Sequence, residues 1–194
     1  MKRGRRPGAA DTRAAILAAA RARFAANGYT GTKIRAVAAD AGVDPALVHY
    51  FFGTKEELFA AVMTLPFRPT EILGPLLDEG LDGLGERLVR RLLGIWDATG
   101  NREPLVAVVR SVTGHDAAAA MMREFVEREI VGRLARALPA PDAGLRASLV
   151  ASQVVGLLLA RYVLGLAPLA NADQDSVVAA VGPTLQHYLT GELG

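Results

Sequence analysis

Residues 28–58 read GYTGTKIRAVAADAGVDPALVHYFFGTKEEL and contain the clearest structural signals of the sequence. Inside this stretch, Gly42 allows a sharp turn between two short helices, because glycine tolerates positive φ. Asp44 can cap the second helix, and Pro45 fits its first position, where the missing N–H costs nothing. Thr54 can cap a further helix after another glycine. Two short helices joined by a glycine turn predict a helix-turn-helix, a motif that can place a helix in the major groove of DNA.

A longer helix and a basic arm precede this motif. The helix is predicted over Thr12–Asn27, with Asp11 or Thr12 as its cap and Asn27-Gly28 as its end. Thr32 is expected to cap the short helix that follows. Ahead of the first helix, residues 2–7 (KRGRRP) hold four positive charges. Such an arm can neutralise phosphates or enter a minor groove, and a solvated tail is the alternative.

The charge of the chain is uneven. Residues 1–65 contain ten Lys/Arg and five Asp/Glu, a net +5, whereas residues 66–194 contain twelve and fifteen, a net −3. A basic first third on an acidic remainder is the pattern expected when one end of a protein meets phosphate and the other does not.

Composition limits the class of protein. The 194 residues are 51% hydrophobic, which is enough for a sizeable core, and the commonest residues favour helix. There is no cysteine, so disulfides and thiolate metal sites are excluded. The basic N-terminus has no apolar segment behind it, so we expect no secretory signal and a cytoplasmic protein.

Catalytic motifs are missing from the sequence. The three histidines, His49, His115 and His187, are scattered without metal-ligand spacing. No nucleophile elbow, P-loop or H-E-x-x-H occurs. We therefore expect neither an enzyme, nor a metal site, nor a cofactor.

The last two thirds of the chain also read as helical. Residues 66–83 are rich in Pro and Gly and predict a connector with at most a short helix near 71–77. Further helices are predicted over 84–98, from Asn101 onward, over 116–138 with the pairs Glu124–Arg128 and Glu129–Arg133, over 142–165 with Asp142 as its cap, and over 173–190.

One apolar stretch, Leu149–Ala170, requires a membrane test. Ser152, Gln153 and Arg161 interrupt it, and Pro168 follows. A spanning helix needs about 20 mostly apolar residues without such groups at its centre. We therefore expect a helix that is buried or at an interface, and no membrane.

The stretch 28–58 resembles the DNA-binding signature of the TetR family in order and spacing. The matching residues are Gly28, Tyr29, Thr32, Ala41, Gly42, Val43, Phe52, Lys55, Glu56, Glu57 and Leu58. Two positions depart from the family pattern: His49-Tyr50 reverses the usual Tyr-His pair, and Asp44-Pro45 replaces Ser-Lys or Ser-Arg at the start of the recognition helix.

The resemblance implies an all-α protein with two domains. Residues 1–65 would form a three-helix helix-turn-helix domain with a basic arm, and residues 66–194 a larger helical domain for ligand binding and dimerisation. It further implies a homodimer through the last two long helices of each subunit. Such a dimer would bind a double-stranded DNA operator, repress transcription, and release when a small-molecule effector binds.

The DNA-binding residues are expected on the arm, on the two short helices and at the start of the next helix. They are Arg3, Arg5, Arg6, Thr32, Lys33, Arg35, Ala46, Leu47, His49, Tyr50 and Lys55. The recognition helix carries no Arg, Asn or Gln, so bidentate base reading from it is excluded. Tyr29 and Phe52 are expected in the core.

A ligand site, if present, would combine apolar walls with polar anchors from the second domain. The candidates are Trp96, Arg110, Met121, Met122, Phe125, Gln153, Arg161 and Tyr162. A core role is the alternative for each of them. Arg161 is distinct, because a charge inside an apolar helix requires a partner; that partner would lie across the dimer or on an anionic effector.

Two other functions remain open from the sequence alone. A non-specific architectural DNA binder would show little sequence preference and a steep salt dependence. A helical adaptor would have a helix-turn-helix that no longer contacts DNA.

Overall fold

The computed structural model describes residues 9–65, 69–99 and 102–193, and its elements there are helices without strands. The helices of the first half are α1 (Ala9–Gly31), α2 (Ile34–Asp40), α3 (Pro45–Phe52), α4 (Lys55–Val62), α5 (Pro69–Asp78) and α6 (Leu84–Thr99). Those of the second half are α7 (Glu103–Gly114), α8 (Asp116–Phe125), α9 (Gly132–Ala137), α10 (Ala143–Leu158), α11 (Ala167–Ala170) and α12 (Gln174–Thr190). Two π-helical segments, Val126–Val131 and Leu159–Val163, follow α8 and α10. The prediction of an all-α fold is confirmed.

The chain divides into two compact units. The first joins residues 1–65 with residues 111–125, and the second joins residues 66–110 with residues 126–194. The division of the sequence into residues 1–65 and 66–194 stays a prediction. The first unit is not contiguous in the chain, because it also contains α8 and the end of α7.

Four aromatic rings form the core of the first unit. Phe24 and Tyr29 of α1, Phe59 of α4 and Phe125 of α8 pack with ring centroids 4.6 to 6.0 Å apart. None is more than 1% exposed. Each such pair adds about 0.5–1.5 kcal/mol to the effect of burial alone. The cluster therefore holds α8 against α1 and α4.

α1 is broken at Gly28, where φ is 70° and ψ is 178°. The predicted end at Asn27-Gly28 is the site of this break, after which one more turn runs to Gly31. The described helix begins at Ala9, so Asp11 and Thr12 lie inside it, and the prediction that either one caps it is wrong.

Thr32 does not cap α2 as predicted. The residue before α2 is Lys33, which makes no side-chain cap. Thr32 is 2% exposed, and its hydroxyl donates to the Gly28 carbonyl oxygen at 2.8 Å. Its hydroxyl thus supports the broken end of α1 instead of the start of α2.

α4 begins with a capping box. Thr54 Oγ1 accepts the Glu57 N–H at 3.2 Å, and Glu57 Oε2 accepts the Thr54 N–H at 2.8 Å. Gly53 precedes the box with a φ of 71°, a conformation that favours glycine. The glycine and the capping box thus end α3 and start α4 within two residues.

The core of the second unit lies between α5, α6, α9, α10 and α12. α6 and α12 approach closely beside Gly85, where a Cβ would lie 2.6 Å from the Gln186 backbone nitrogen. Arg146 of α10 donates to the carbonyl oxygens of Tyr188 and Gly191 at 3.0 and 2.8 Å. This arginine therefore ties the start of α10 to the end of α12.

Three helix predictions in the second half need correction. Residues 116–138 and 142–165 do not each form one α-helix, because Val126–Val131 and Leu159–Val163 are π-helical. Asp142 occupies the N-cap position of α10 as predicted, but its carboxylate makes no capping hydrogen bond and accepts from Arg146 Nε at 2.7 Å instead. Asn101, the predicted cap of α7, lies outside the described residues.

Of the two predicted ion pairs in this region, one is confirmed. Arg133 Nη2 lies 2.9 Å from Glu129 Oε2. Glu124, in contrast, accepts a hydrogen bond from the backbone of Thr30. Its partner is therefore α1 and not the next turn of its own helix.

Candidate nucleic-acid interface

α3 presents one face to solvent and one face to the core. Val48 and Phe52, four residues apart, are 1% and 5% exposed. On the other side, Ala46, Leu47 and Tyr50 are exposed, and Tyr50 reaches 80%. The predicted core position of Phe52 is confirmed, as is that of Tyr29. The exposed face is available to enter a groove.

Both ends of α3 are fixed by local hydrogen bonds. The Asp44 carboxylate accepts the Ala46 N–H at 2.7 Å, and Pro45 occupies the first helical position as predicted. At the other end, His49 Nδ1 lies 2.8 Å from the Gly53 carbonyl oxygen. Because a carbonyl only accepts, that nitrogen must carry the proton, which leaves Nε2 an acceptor when the ring is neutral.

α2 is held against α1 by an exposed ion pair. The Arg23 guanidinium lies on the Asp40 carboxylate at 2.5 and 2.7 Å. The hydrogen bond to Arg23 is the largest cause that lowers the pKa of the Asp40 carboxyl. Lys33, just before α2, and Arg35, in its first turn, remain exposed and can reach phosphates.

The other predicted DNA contacts have different settings. Lys55 is half-buried, donates to the Thr30 carbonyl oxygen at 3.2 Å and lies 4.7 Å from the centre of the Tyr29 ring. Thr32 is buried, so its side chain offers no surface to a nucleic acid. The arm residues Arg3, Arg5 and Arg6 lie outside the described residues.

Glu124 is a residue that the sequence reasoning missed. Its Oε2 accepts the Thr30 N–H at 2.8 Å. A Cβ on Gly28 would lie 2.8 Å from its other oxygen. The carboxylate therefore satisfies a backbone donor that the break in α1 leaves open. No local signal identifies it, since the partners are 94 residues apart.

Three of the predicted ligand residues come together in the second unit. The rings of Trp96 and Tyr162 are 6.0 Å apart, and the Arg161 guanidinium carbon lies 5.6 Å from the Tyr162 ring centre. Asp97, which was not predicted, accepts the Tyr162 hydroxyl proton at 2.7 Å. Burial, followed by this hydrogen bond, raises the pKa of Tyr162 to about 12.

Arg161 finds its partners within its own chain. It is 8% exposed and donates to the carbonyl oxygens of Leu169 and Ala172 at 2.5 and 3.0 Å. Its Nη2 lies 3.9 Å from Asp97 Oδ2. Its Nε is buried without a hydrogen-bond partner. The two hydrogen bonds from its Nη1 thus anchor the segment between α10 and α12.

The remaining predicted ligand residues are dispersed. Arg110 and Gln153 are exposed in the second unit, whereas Met121, Met122 and Phe125 belong to the first unit. Phe125 is a member of the aromatic core and is therefore not available as the wall of a ligand site. The ligand role of the others stays a prediction.

The comparisons with known proteins agree with this architecture. Residues 16–62 match the model of bacterial regulatory proteins of the tetR family, and residues 82–189 match the tetracyclin repressor-like C-terminal domain. A TetR-family regulator of known structure from Streptomyces coelicolor A3 is 42% identical over 96% of this chain and 99% of its own, with a TM-score of 0.50.

Two further relatives extend the comparison. A transcriptional regulator from Rhodococcus sp. Rha1 is 22% identical over 94% of this chain and 99% of its own, with a TM-score of 0.53, and shares the fold. The HTH-type transcriptional repressor SCO4008 of Streptomyces coelicolor is 35% identical over 78 residues, which is 40% of this chain and 41% of the repressor. With matches to both domain models and a relative along nearly its full length, this chain belongs to the TetR family of DNA-binding transcriptional regulators.

Proposed function

We propose that the protein is a cytoplasmic repressor that binds a DNA operator as a homodimer and is released by a small-molecule effector. The exposed face of α3, fixed at both ends and flanked by Lys33 and Arg35, carries the proposal. An architectural binder would need only the basic groups. A capped helix whose outward side chains are exposed can in addition contact base edges in a major groove.

The test of this function is fluorescence anisotropy on DNA from upstream of the coding region, with scrambled duplex as competitor at fixed salt. A repressor binds the upstream duplex preferentially. Lys33→Ala and Arg35→Ala should weaken binding to both duplexes if they contact phosphates, and mainly to the operator if they read bases. Equal binding of the wild type to every genomic duplex would contradict the proposal.

The homodimer is supported by the surface of α10 and its π-helical extension. The segment Ala143–Val163 is long and apolar enough to cross a membrane. Only 17% of its most apolar stretch is buried inside the structure, so an apolar face is left uncovered. Leu145 and Val155 are 59% and 51% exposed, and beyond the segment Leu164 reaches 70%. A second copy of the chain would cover this face, as paired helices do in dimers of the family.

The serines on this face are suited to an interface. Ser148 Oγ donates to the Gly144 carbonyl oxygen at 2.8 Å, and Ser152 Oγ donates to that of Leu149 at 2.7 Å. Since both hydroxyl protons are already used within the helix, covering them leaves no unsatisfied donor. The face therefore behaves as more apolar than its composition indicates.

A charge on this face tests the dimer. We expect Val155→Arg to give a monomer by sedimentation and to weaken operator binding, because a dimer binds two half-sites together. Asp78→Arg, at an exposed position at the end of α5, adds the same side chain outside α10 and α12 and should remain dimeric. A folded, dimeric Val155→Arg protein would overturn this interface.

We propose that the effector binds beside Trp96 and Tyr162, where Arg161 lies over the Tyr162 ring and Asp97 accepts from the Tyr162 hydroxyl. Trp96 is the only tryptophan in the sequence, so its fluorescence reports on this region alone. A compound that acts here should change that fluorescence and release the operator over the same concentration range. Compounds that release DNA without changing the emission of Trp96 would place the effector elsewhere.

A further inference from the structure

We propose that the protein selects its operator by the C5-methyl groups of thymine, which Ala46, Leu47 and Tyr50 contact in the major groove. The inference rests on the proposed function, because it requires that α3 reads operator DNA. It goes further in naming the chemical group that is read.

The first observation is the chemistry of the exposed face. Of the large apolar side chains that the structure describes in the first unit, Leu47 and Tyr50 are the exposed ones, at 39% and 80%. Both lie on α3, one turn apart, and Ala46 adds a methyl group beside them. Exposed apolar groups gathered on one helix face mark a contact surface.

The second observation is that α3 and its cap offer few polar groups to a base. The Asp44 carboxylate is occupied by the Ala46 N–H, and His49 Nδ1 is occupied by the Gly53 carbonyl. The helix sequence PALVHYFF contains no Arg, Lys, Asn, Gln or acidic residue. Besides apolar contacts, α3 can therefore offer a base two polar groups, which are Nε2 of His49 and the hydroxyl of Tyr50.

Base chemistry then determines what such a face can discriminate. In the major groove, guanine, adenine and cytosine present hydrogen-bond donors and acceptors, whereas thymine also presents a methyl group. Leu47 gains by covering that methyl and loses by covering a polar edge without pairing it. Ala46 is small enough for the helix backbone to approach closely. The face therefore gains affinity from contact with the thymine methyl. It loses affinity at the other bases, because it covers their polar groups without forming hydrogen bonds to them.

The experiment starts from a selection that identifies the operator. A randomised duplex library is enriched on the full-length protein, and the winning duplex is then made with deoxyuridine in place of thymidine, one position at a time. Uracil keeps every hydrogen bond of thymine and lacks only the methyl. Covering one methyl is worth about fourfold in affinity, and the symmetric pair in two half-sites about sixteenfold.

Two variants test which side chain of the protein contacts the thymine methyl. Leu47→Ala should abolish the preference for thymine over uracil at one symmetric pair of positions, while its affinity for the uracil duplex equals that of the wild type. Lys33→Ala is the control, and it should lower affinity for both duplexes by the same factor and keep their ratio.

The outcomes separate the two proposals. If thymine and uracil bind within twofold of one another at every position, the methyl inference is overturned and the repressor function stands. If Leu47→Ala keeps the full preference for thymine, these side chains do not read the methyl. If no duplex is enriched, the proposed function fails and the inference fails with it.

Discussion

The close approach of α6 to α12 allows a prediction in which two alanine substitutions on one helix have opposite effects. Gly85 and Gly94 both lie in α6. A Cβ at Gly85 would meet the backbone of α12, 2.6 Å from the Gln186 nitrogen. A Cβ at Gly94 would lie 3.8 Å from its nearest neighbour, the amide nitrogen of Gln174, which is ordinary contact.

The sign follows from comparing helix propensity with packing. Alanine is favoured over glycine in a helix by up to about 1 kcal/mol. Gly94→Ala gains this and should raise the free energy of unfolding by about 0.5–1 kcal/mol. Gly85→Ala gains less, near the helix start, and must push two backbones apart, for which overpacking costs about 1–3 kcal/mol. We expect a net loss of about 1 kcal/mol, and so a difference of about 2 kcal/mol between the variants.

The assay is urea unfolding followed by helical circular dichroism. Both variants and the wild type are compared at one protein concentration, because the stability of a dimer depends on it. Thermal unfolding should separate the two midpoints by about 4–8 °C for a chain of this size. If Gly85→Ala proved as stable as Gly94→Ala, the close crossing of α6 and α12 would be refuted.

Three other predictions concern single residues. The hydrogen bond from Arg23 lowers the pKa of Asp40, so this pair stabilises the fold above the ordinary pKa of 3.8 and loses its effect as the pH falls through the lowered value; Asp40→Asn should therefore reduce stability at neutral pH and converge with the wild type in acid. The pKa of Tyr162 is about 12, so its hydroxyl stabilises the fold fully below the ordinary pKa of 10.0 and loses this effect as the pH rises toward 12. Asp97→Asn should lower the pKa of Tyr162 in a spectrophotometric titration, because it removes the carboxylate that accepts the hydroxyl proton. Gly53→Ala should destabilise the first unit by at least about 1–2 kcal/mol, measured by urea unfolding, since φ 71° with ψ −105° is strained for alanine and the added Cβ would collide with the Glu57 carboxylate of the capping box.

Each of these predictions has an outcome that contradicts it. A stability difference between Asp40→Asn and wild type that stays constant into acid would show that the ion pair contributes nothing. An unchanged tyrosine titration in Asp97→Asn would remove the carboxylate as a cause of the raised pKa. Gly74→Ala, in α5, is the control for Gly53→Ala, because no atom lies within 4 Å of its new Cβ.

The DNA-binding motif could be predicted from sequence because its signals are local. Asp44 caps a helix whose first N–H groups are two residues away, and the Thr54–Glu57 box spans three residues. Gly42 adopts a φ of 66° at the turn, as its place between two helices predicts. Each signal involves backbone groups that the chain brings together whatever the rest of the fold does.

The errors arose where a polar group had a choice between local and distant partners. Thr32 could cap α2 or support α1, and burial between the two helices favours the carbonyl of Gly28. Glu124 has a possible partner one turn away but bonds to Thr30, far along the chain. The sequence shows the need of Arg161 for partners but not that backbone carbonyls supply them.

The construction of α3 separates the residues that make the helix from those that face outward. Asp44 and His49 hold its ends, and Val48 and Phe52 fasten it to the core. The outward positions contribute little to the free energy of folding, so they can be exchanged without loss of the scaffold. Substitutions on this outward face should therefore change what the helix contacts without changing the fold. The same separation makes α3 a suitable helix to redesign when a regulator is to bind a chosen DNA sequence.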